Sequence, residues 1–394
     1  VQYDELYTGI DMEIYAAFQN LKYDFIVSAG ADPNQIKVDY AGVDAIEIMD
    51  NGYLLITLSN GEVKEMAPVS YQDIDGERVE VPTKFKLNGT VLSFEFPDGY
   101  DNTKELTIDP TWIFSTLVGS TADNWGFTAT YDSTGNLYGA GIAFAAGYPG
   151  TVGSYSTTFI GGGFDISVTK FNPTGTGLLW STYLGGNDNE MPHSMVVNSQ
   201  DQLIILGSTS STNYPTTAGV YDQTWNGGFV NTPANTWGYN YTNGADICIT
   251  ELSAGAGAMN RSTLIGGTDN EGINESMVYN YADQGRGEVV LDANDNLYVA
   301  TSVWSDDFPV TDGSTINAGA GFGAQDAVVF RMSADLSTLD WATYLGGTGF
   351  EGGYSVRISN SGIVYATGGT TSADFGADPG SINPAFGGVW DGYV

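Results

Sequence analysis

Ser181-Thr182-Tyr183-Leu184-Gly185-Gly186 is the stretch that decides the fold, because the chain repeats it with small changes. The other copies are Ser115-Thr116-Leu117-Val118-Gly119-Ser120, Ser262-Thr263-Leu264-Ile265-Gly266-Gly267 and Ala342-Thr343-Tyr344-Leu345-Gly346-Gly347. Threonine and two large apolar residues running into glycine read as a short strand ending in a tight turn. Phe114, Trp180, Arg261 and Trp341 precede the four copies, so three of the four carry a large aromatic there. The copies start 66, 81 and 80 residues apart, the spacing of a fixed supersecondary unit with loops of variable length.

Around each phrase the same pieces recur. A first strand (Ser194–Val197, Gly287–Leu291 or Tyr354–Ile358) meets a polar turn such as Asp292-Ala293-Asn294-Asp295-Asn296. A second strand follows at Leu137–Gly141, Leu203–Gly207, Leu297–Thr301 and Ile363–Gly368, then a long loop with Tyr148-Pro149, Tyr214-Pro215 or Phe308-Pro309. The third strand opens with Asp at Asp165, Asp246, Asp326 and Asp391, and the phrase is the fourth. Four antiparallel strands per repeat predict propeller blades at about 119–186, 187–267, 268–347 and 348–394, the last incomplete. A lone strand at Trp112–Val118 could complete a final blade; the stop at Val394 inside a third strand favours further blades instead.

Residues 1–110 carry no copy of the phrase but seven of the twelve basic residues. Alternating runs separated by Asp50-Asn51-Gly52, Asn60-Gly61, Asp75-Gly76 and Asn88-Gly89 predict antiparallel hairpins packed as a small β-sandwich. The expected domains are therefore 1–110 and 111–394, in an all-β chain. Composition agrees: 53 glycines, 13% aromatics and only 15% charged residues suit many short strands joined by tight turns.

The net charge of −35 repels nucleic acid and anionic membrane and favours cation binding. No run of roughly 18 apolar residues predicts a membrane-spanning helix. The start at Val1, without Met, and the end inside a repeat read as a piece of a longer, processed protein.

With both parts in view, the chain resembles the SBBP-type β-propeller repeat family of bacterial surface proteins, together with the β domain of unknown function that precedes such repeats. The resemblance rests on Tyr7-Thr8-Gly9-Ile10-Asp11, Gly30-Ala31-Asp32-Pro33, Ala67-Pro68-Val69-Ser70-Tyr71-Gln72 and Leu106-Thr107-Ile108-Asp109-Pro110 in the first part. In the second it rests on the Ser-Thr-Tyr-Leu-Gly-Gly phrases, Asn296-Leu297-Tyr298-Val299-Ala300-Thr301 and Asp307-Phe308-Pro309. It implies a large secreted or surface-anchored protein, frequent in Bacteroidota and often a cargo of the type 9 secretion machinery. It assigns no chemistry to residues.

Candidate sites are few. His193 is the single histidine and no nucleophile-elbow motif accompanies it, which removes most triad and metal chemistry. Cys248, the one cysteine, sits in an apolar run and reads as a core thiol. Acid-rich turns after the glycine pairs offer Asp123, Asp188, Glu190, Asp269 and Glu271 as oxygen ligands for calcium, although no EF-hand spacing is present. The insertion 229–243 presents Phe229, Trp237, Tyr239 and Tyr241 among amides, a candidate loop for contacting a glycan or protein. The expected function is a noncatalytic, secreted or cell-surface adhesion module requiring no cofactor. The alternatives are a polysaccharide hydrolase or lyase using two carboxylates, and a secretion cargo or spacer without a ligand.

Overall fold

The computed structural model describes all residues except 1, 18–19, 50, 59–60, 75, 110–118, 121, 174, 176, 231–239, 279–282, 312–324, 377–379 and 384. The strand expected at Trp112–Val118 and the aromatics Trp237 and Tyr239 lie outside the described residues. The chain is all-β, with several antiparallel sheets and no α-helix among the described residues. It divides into two compact units, Val1–Ser115 and Thr116–Val394.

In the first unit the strand Ile10–Ala17 pairs with Asn20–Val27, as the alternating sequence predicts. They belong to a six-stranded antiparallel sheet with Gln2–Tyr7, Leu106–Asp109, Val69–Ile74 and Glu77–Val81. Two three-stranded sheets accompany it, one built from Lys84–Asn88, Val91–Glu95 and Val38–Asp39, the other from Ala45–Ile48, Leu54–Leu58 and Gly61–Glu65. The three sheets share one core around Phe25, Val27, Leu54, Phe94 and Ile108. Val91–Glu95 departs from simple alternation: Leu92, Ser93 and Phe94 are all buried, because the core closes over both faces there.

The second unit is four successive antiparallel meanders. The first sheet holds Asn124–Tyr131, Leu137–Ala143, Asp165–Phe171 and Leu178–Leu184. The second holds Glu190–Val197, Leu203–Thr209, Asp246–Leu252 and Met259–Ile265. The third holds Glu288–Leu291, Leu297–Val303, Asp326–Met332 and Leu339–Leu345, and the fourth Glu351–Ile358, Val364–Thr370 and Asp391–Tyr393. The repeated phrase is the fourth strand of the first three sheets, with its glycine pair just beyond the strand end. The first strands of the second and fourth sheets begin earlier than the apolar residues alone predict, at Glu190 and Glu351, whereas that of the third begins at Glu288, next to the expected Gly287. Glu190–Val197 carries a bulge between Pro192 and Ser194, which hides its opening residues from a strict alternation.

Every residue of Asp246–Leu252 is buried, because each face of that strand meets a different sheet. Ile247 and Ile249 pack with Leu297 and Val299 of the third sheet, while Cys248 packs with Val168 and Leu184 of the first. Fully burying one such aliphatic side chain stabilises by about 1.5–3 kcal/mol, so strands apolar on both faces hold the sheets together. Outer edges are covered locally. The long loop before each third strand returns to bond the fourth: Thr151 N to Ser181 O, Thr217 N to Ser262 O and Thr311 N to Ala342 O. Thr182 and Thr263 of the phrase donate their hydroxyls to carbonyls of the same loops. The phrase threonines thus fasten a cover over an edge strand.

The polar turns between first and second strands close alike. Asp132 accepts from Thr134 N and Asn136 N, Asn198 from Gln200 N and Gln202 N, and Asp292 from Asn294 N and Asn296 N. A positive φ is required just inside each turn, supplied by Gly135, Asp201, Asp295 and Gly362. Neighbouring turns are linked as well, Ser133 donating to Asp201 and Ser199 to Asp295.

Candidate functional site

The glycine pairs sit in an acidic junction that recurs between consecutive sheets. An added Cβ at Gly185 would lie 2.5 Å from Glu190 Oε2 and 2.7 Å from Asp165 Oδ1; at Gly266, 2.7 Å from Asp246 Oδ1 and 2.8 Å from Glu271 Oε2. At Gly346 it would lie 1.9 Å from Asp326 Oδ1 and 3.1 Å from Glu351 Oε2. Glycine is needed there because two carboxylates occupy the space of a side chain. Each pair joins the Asp that opens a third strand to a Glu four residues beyond the glycine pair; Glu190 and Glu351 open the next sheet's first strand, whereas Glu271 forms an isolated bridge with Val303.

Donors from the surrounding backbone and hydroxyls hold these acids. Glu190 accepts from Gly186 N (3.0 Å) and Thr209 Oγ1 (2.6 Å). Glu351 accepts from Gly347 N (2.8 Å), Thr370 Oγ1 and Ser372 Oγ (2.6 Å each), and Glu271 from Ser305 Oγ. Asp165 accepts from Ile160 N and Asp246 from Asn226 N, 2.7 Å each. Burial pushes Asp165 and Asp246 up to about 7, Glu190 up to about 8 and Glu271 up to about 9, against the lowering effect of these donors. For Glu190 and Glu271 the neighbouring Asp165 and Asp246 add a further upward push, since like charges close together disfavour ionisation. The junctions are clasps between strands, shut away from solvent.

The acids named for calcium sit in different surroundings. Among the described residues no three His, Cys, Asp or Glu side chains come together where they could hold a metal ion. Asp188 is buried and receives Thr242 Oγ1 and Asn243 Nδ2, while Glu190 and Glu271 belong to the clasps. Asp123 is exposed and Asp269 half-buried with its backbone N on Ser305 Oγ, so the turns do not converge.

Tyr241 also needs correcting. It is fully buried, its hydroxyl 3.0 Å from Ser208 Oγ, which lies 3.2 Å from His193 Nε2. Its polar tip is satisfied inside the core, so the ring is not offered to a ligand. Burial pushes His193 down to about 3 and raises the Cys248 thiol well above its ordinary range, leaving a neutral imidazole and an un-ionised thiol.

Phe229 does face solvent, at 43% exposure. Its ring stands edge-on to Trp304 (5.6 Å between centroids, 84°), and Trp304 lies 6.4 Å from Phe350. Phe350 is exposed and Trp304 half-buried. The three rings come from segments outside the strands: Phe229 from the loop before Asp246–Leu252, Trp304 just after Leu297–Val303 and Phe350 just before Glu351–Ile358. Backbone bonds from Trp304 N to Asn270 O and from Thr371 N to Phe350 O anchor two of the segments. Sequence reasoning missed Trp304, which directly follows the strand Leu297–Val303, and Phe350, which stands alone between glycines and polar residues. It also missed the Asp–Glu pairing, although Glu190, Glu271 and Glu351 all follow the second glycine of their phrase by four residues.

Residues 1–111 match the family described as "Domain of unknown function (DUF7948)". No curated protein matches the chain. A crystal structure of a protein of unknown function from Dyadobacter fermentans DSM 18053 is similar at 11% identity and a TM-score of 0.35, over 88% of this chain and 78% of that one. The tail fiber of Staphylococcus aureus phage P68 is similar at 9% identity and a TM-score of 0.15, over 85% of this chain and 90% of that one. Among the described residues no helix is long and apolar enough to cross a membrane.

Proposed function

We propose that the chain is a noncatalytic binding module of a secreted or surface-attached protein, and that the aromatic group Phe229, Trp304 and Phe350 is its ligand face. The four sheets are read as consecutive blades of a β-propeller of the SBBP type, with type 9 secretion as the export route. The aromatic group carries the functional reading: the exposed rings Phe229 and Phe350 flank the half-buried Trp304 at one place, from loops of three successive repeats. Ring faces of this kind stack on the apolar faces of sugar rings. A glycan is therefore the ligand class. The paired acids Asp165 and Glu190 are buried and bonded to the main chain, which supports the noncatalytic reading.

A glycan-array screen of the chain and its Trp304→Ala variant tests this. Saturable binding to a glycan class that the variant loses supports the proposal; no binding, or equal binding by both, refutes it. Sugar release from a bound polysaccharide would return the assignment to an enzyme.

A further inference from the structure

A groove of about 770 Å³ opens on the first unit, within the roughly 300–1,000 Å³ span of small-molecule sites. Its floor is the hairpin of Lys84–Asn88 and Val91–Glu95. Pairing of Lys86 with Ser93 and of Asn88 with Val91 puts these side chains on one face, while Phe85, Leu92 and Phe94 fill the core from the other. Ser93 is buried at that floor, its hydroxyl donating to Lys86 O at 3.3 Å. Every strand and loop that forms the groove is described from end to end.

The walls are fixed by bonds within the unit. On one side Lys37 N donates to the Tyr7 hydroxyl (3.2 Å), which donates in turn to Lys37 O (3.1 Å). On the other, Gly99 takes a φ of 73° and donates its N–H to Phe96 O (3.1 Å). That tight turn sets the Phe96 and Tyr100 rings edge-on, 5.2 Å between centroids. The buried Gln72 clamps the far end of the same loop through Asp101 O (2.8 Å) and Asp101 N (2.9 Å). Walls already in place spare a ligand the entropy of ordering them. The local charge is inverted as well. In a chain of net charge −35, the groove is lined by Lys37, Lys86 and a single acid, Glu95, which Lys86 holds at 2.5 Å. Among the described residues no carboxylate pairs with Lys37.

We propose that this groove binds an acidic sugar, a hexuronate unit of a polysaccharide, with its carboxylate on Lys37. The side-chain amides of Asn88 and Asn102 line the same groove, and an amide that both donates and accepts suits vicinal hydroxyls. The Phe96 and Tyr100 rings cover the apolar C–H face of the sugar. One free ammonium balances one negative charge, which selects a carboxylate over a phosphate carrying about −1.5 to −2. The site lies wholly within the first unit and rests on none of the residues of the aromatic group Phe229, Trp304 and Phe350.

The test is calorimetric titration of the full chain with digalacturonate, dimannuronate and cellobiouronate. The expected result is saturable binding of at least one, weakened about tenfold or more when its carboxylates are methyl-esterified. Lys37→Gln, an exposed position checked for an unchanged melting temperature, should weaken the free acid to the same degree. Lys84→Gln removes an exposed charge of the same unit outside the groove and should bind as the unaltered chain does, as should Trp304→Ala. Absence of binding by all three sugars, or equal binding of the ester, overturns the proposal. So does an equal loss in Lys84→Gln, the mark of unspecific charge attraction. Loss in Trp304→Ala with Lys37→Gln unaffected overturns it too, and gives the uronate to the aromatic group.

Discussion

Replacing Gly185 by alanine should damage the second unit far more than the size of a methyl group suggests. The new Cβ would fall 2.5 Å from Glu190 Oε2 and 2.7 Å from Asp165 Oδ1, where ordinary contact begins at 3.4 Å. Neither carboxylate is the free end of a mobile side chain, since both are held by main-chain N–H groups. Forcing extra volume into a packed site costs about 1–3 kcal/mol. Pulling Glu190 from Gly186 N and Thr209 Oγ1 forfeits two buried hydrogen bonds worth about 0.5–1.5 kcal/mol each. Reduced freedom of the unfolded chain returns about 0.4–1 kcal/mol. The net loss is about 2–5 kcal/mol, or a fall of about 5–15 °C in melting temperature for a unit of this size. Gly139→Ala is the control, because a Cβ there meets nothing within 4 Å and the residue lies in a strand. Scanning calorimetry of both variants decides the matter. If Gly185→Ala melts within about 2 °C of Gly139→Ala, the steric argument for the glycine pair is wrong.

The acidic clasps also predict a pH dependence. Asp165 and Glu190 hold protons in the folded state up to about 7 and 8, against ordinary values of 3.8 and 4.5, so the unfolded chain releases protons first. Stability of the second unit should therefore fall as pH rises from about 4 to about 8, and Glu190→Gln should flatten that slope in urea titrations; an unchanged slope would reject the assignment. Asp132 behaves oppositely. Although burial raises it, bonds from Lys170, Asn136 and Thr134 hold its carboxyl well below the usual range, so its contribution is present above the unfolded value and lost in acid. Lys170→Met should strand that buried carboxylate and cost about 3–5 kcal/mol, measured by denaturant unfolding at neutral pH. Tyr241→Phe should cost about 1 kcal/mol through loss of the Ser208 hydrogen bond and leave glycan binding untouched, whereas Trp304→Ala should abolish binding with little change in stability. Loss of glycan binding in Tyr241→Phe would contradict its placement in the core.

The all-β class, the repeat and most strand positions were legible in the chain because they depend on local chemistry. Thr-Tyr-Leu-Gly-Gly codes a strand and its end, and Asp132, Asn198 and Asp292 code turns through bonds to amides two and four residues ahead. The apolar run around Cys248 announced a core strand before any neighbour was known. Tertiary structure alone decided the rest, because the deciding contacts join residues far apart in sequence. Asp165 and Glu190 are 25 residues apart and read separately as a strand start and a turn; only folding places both against Gly185. Tyr241 and Phe229 carry similar aromatic signals within one insertion, yet packing buries the first beside Ser208 and leaves the second against Trp304 at the surface. A side chain's type is written locally, but the direction it faces is set by which strands and loops become its neighbours.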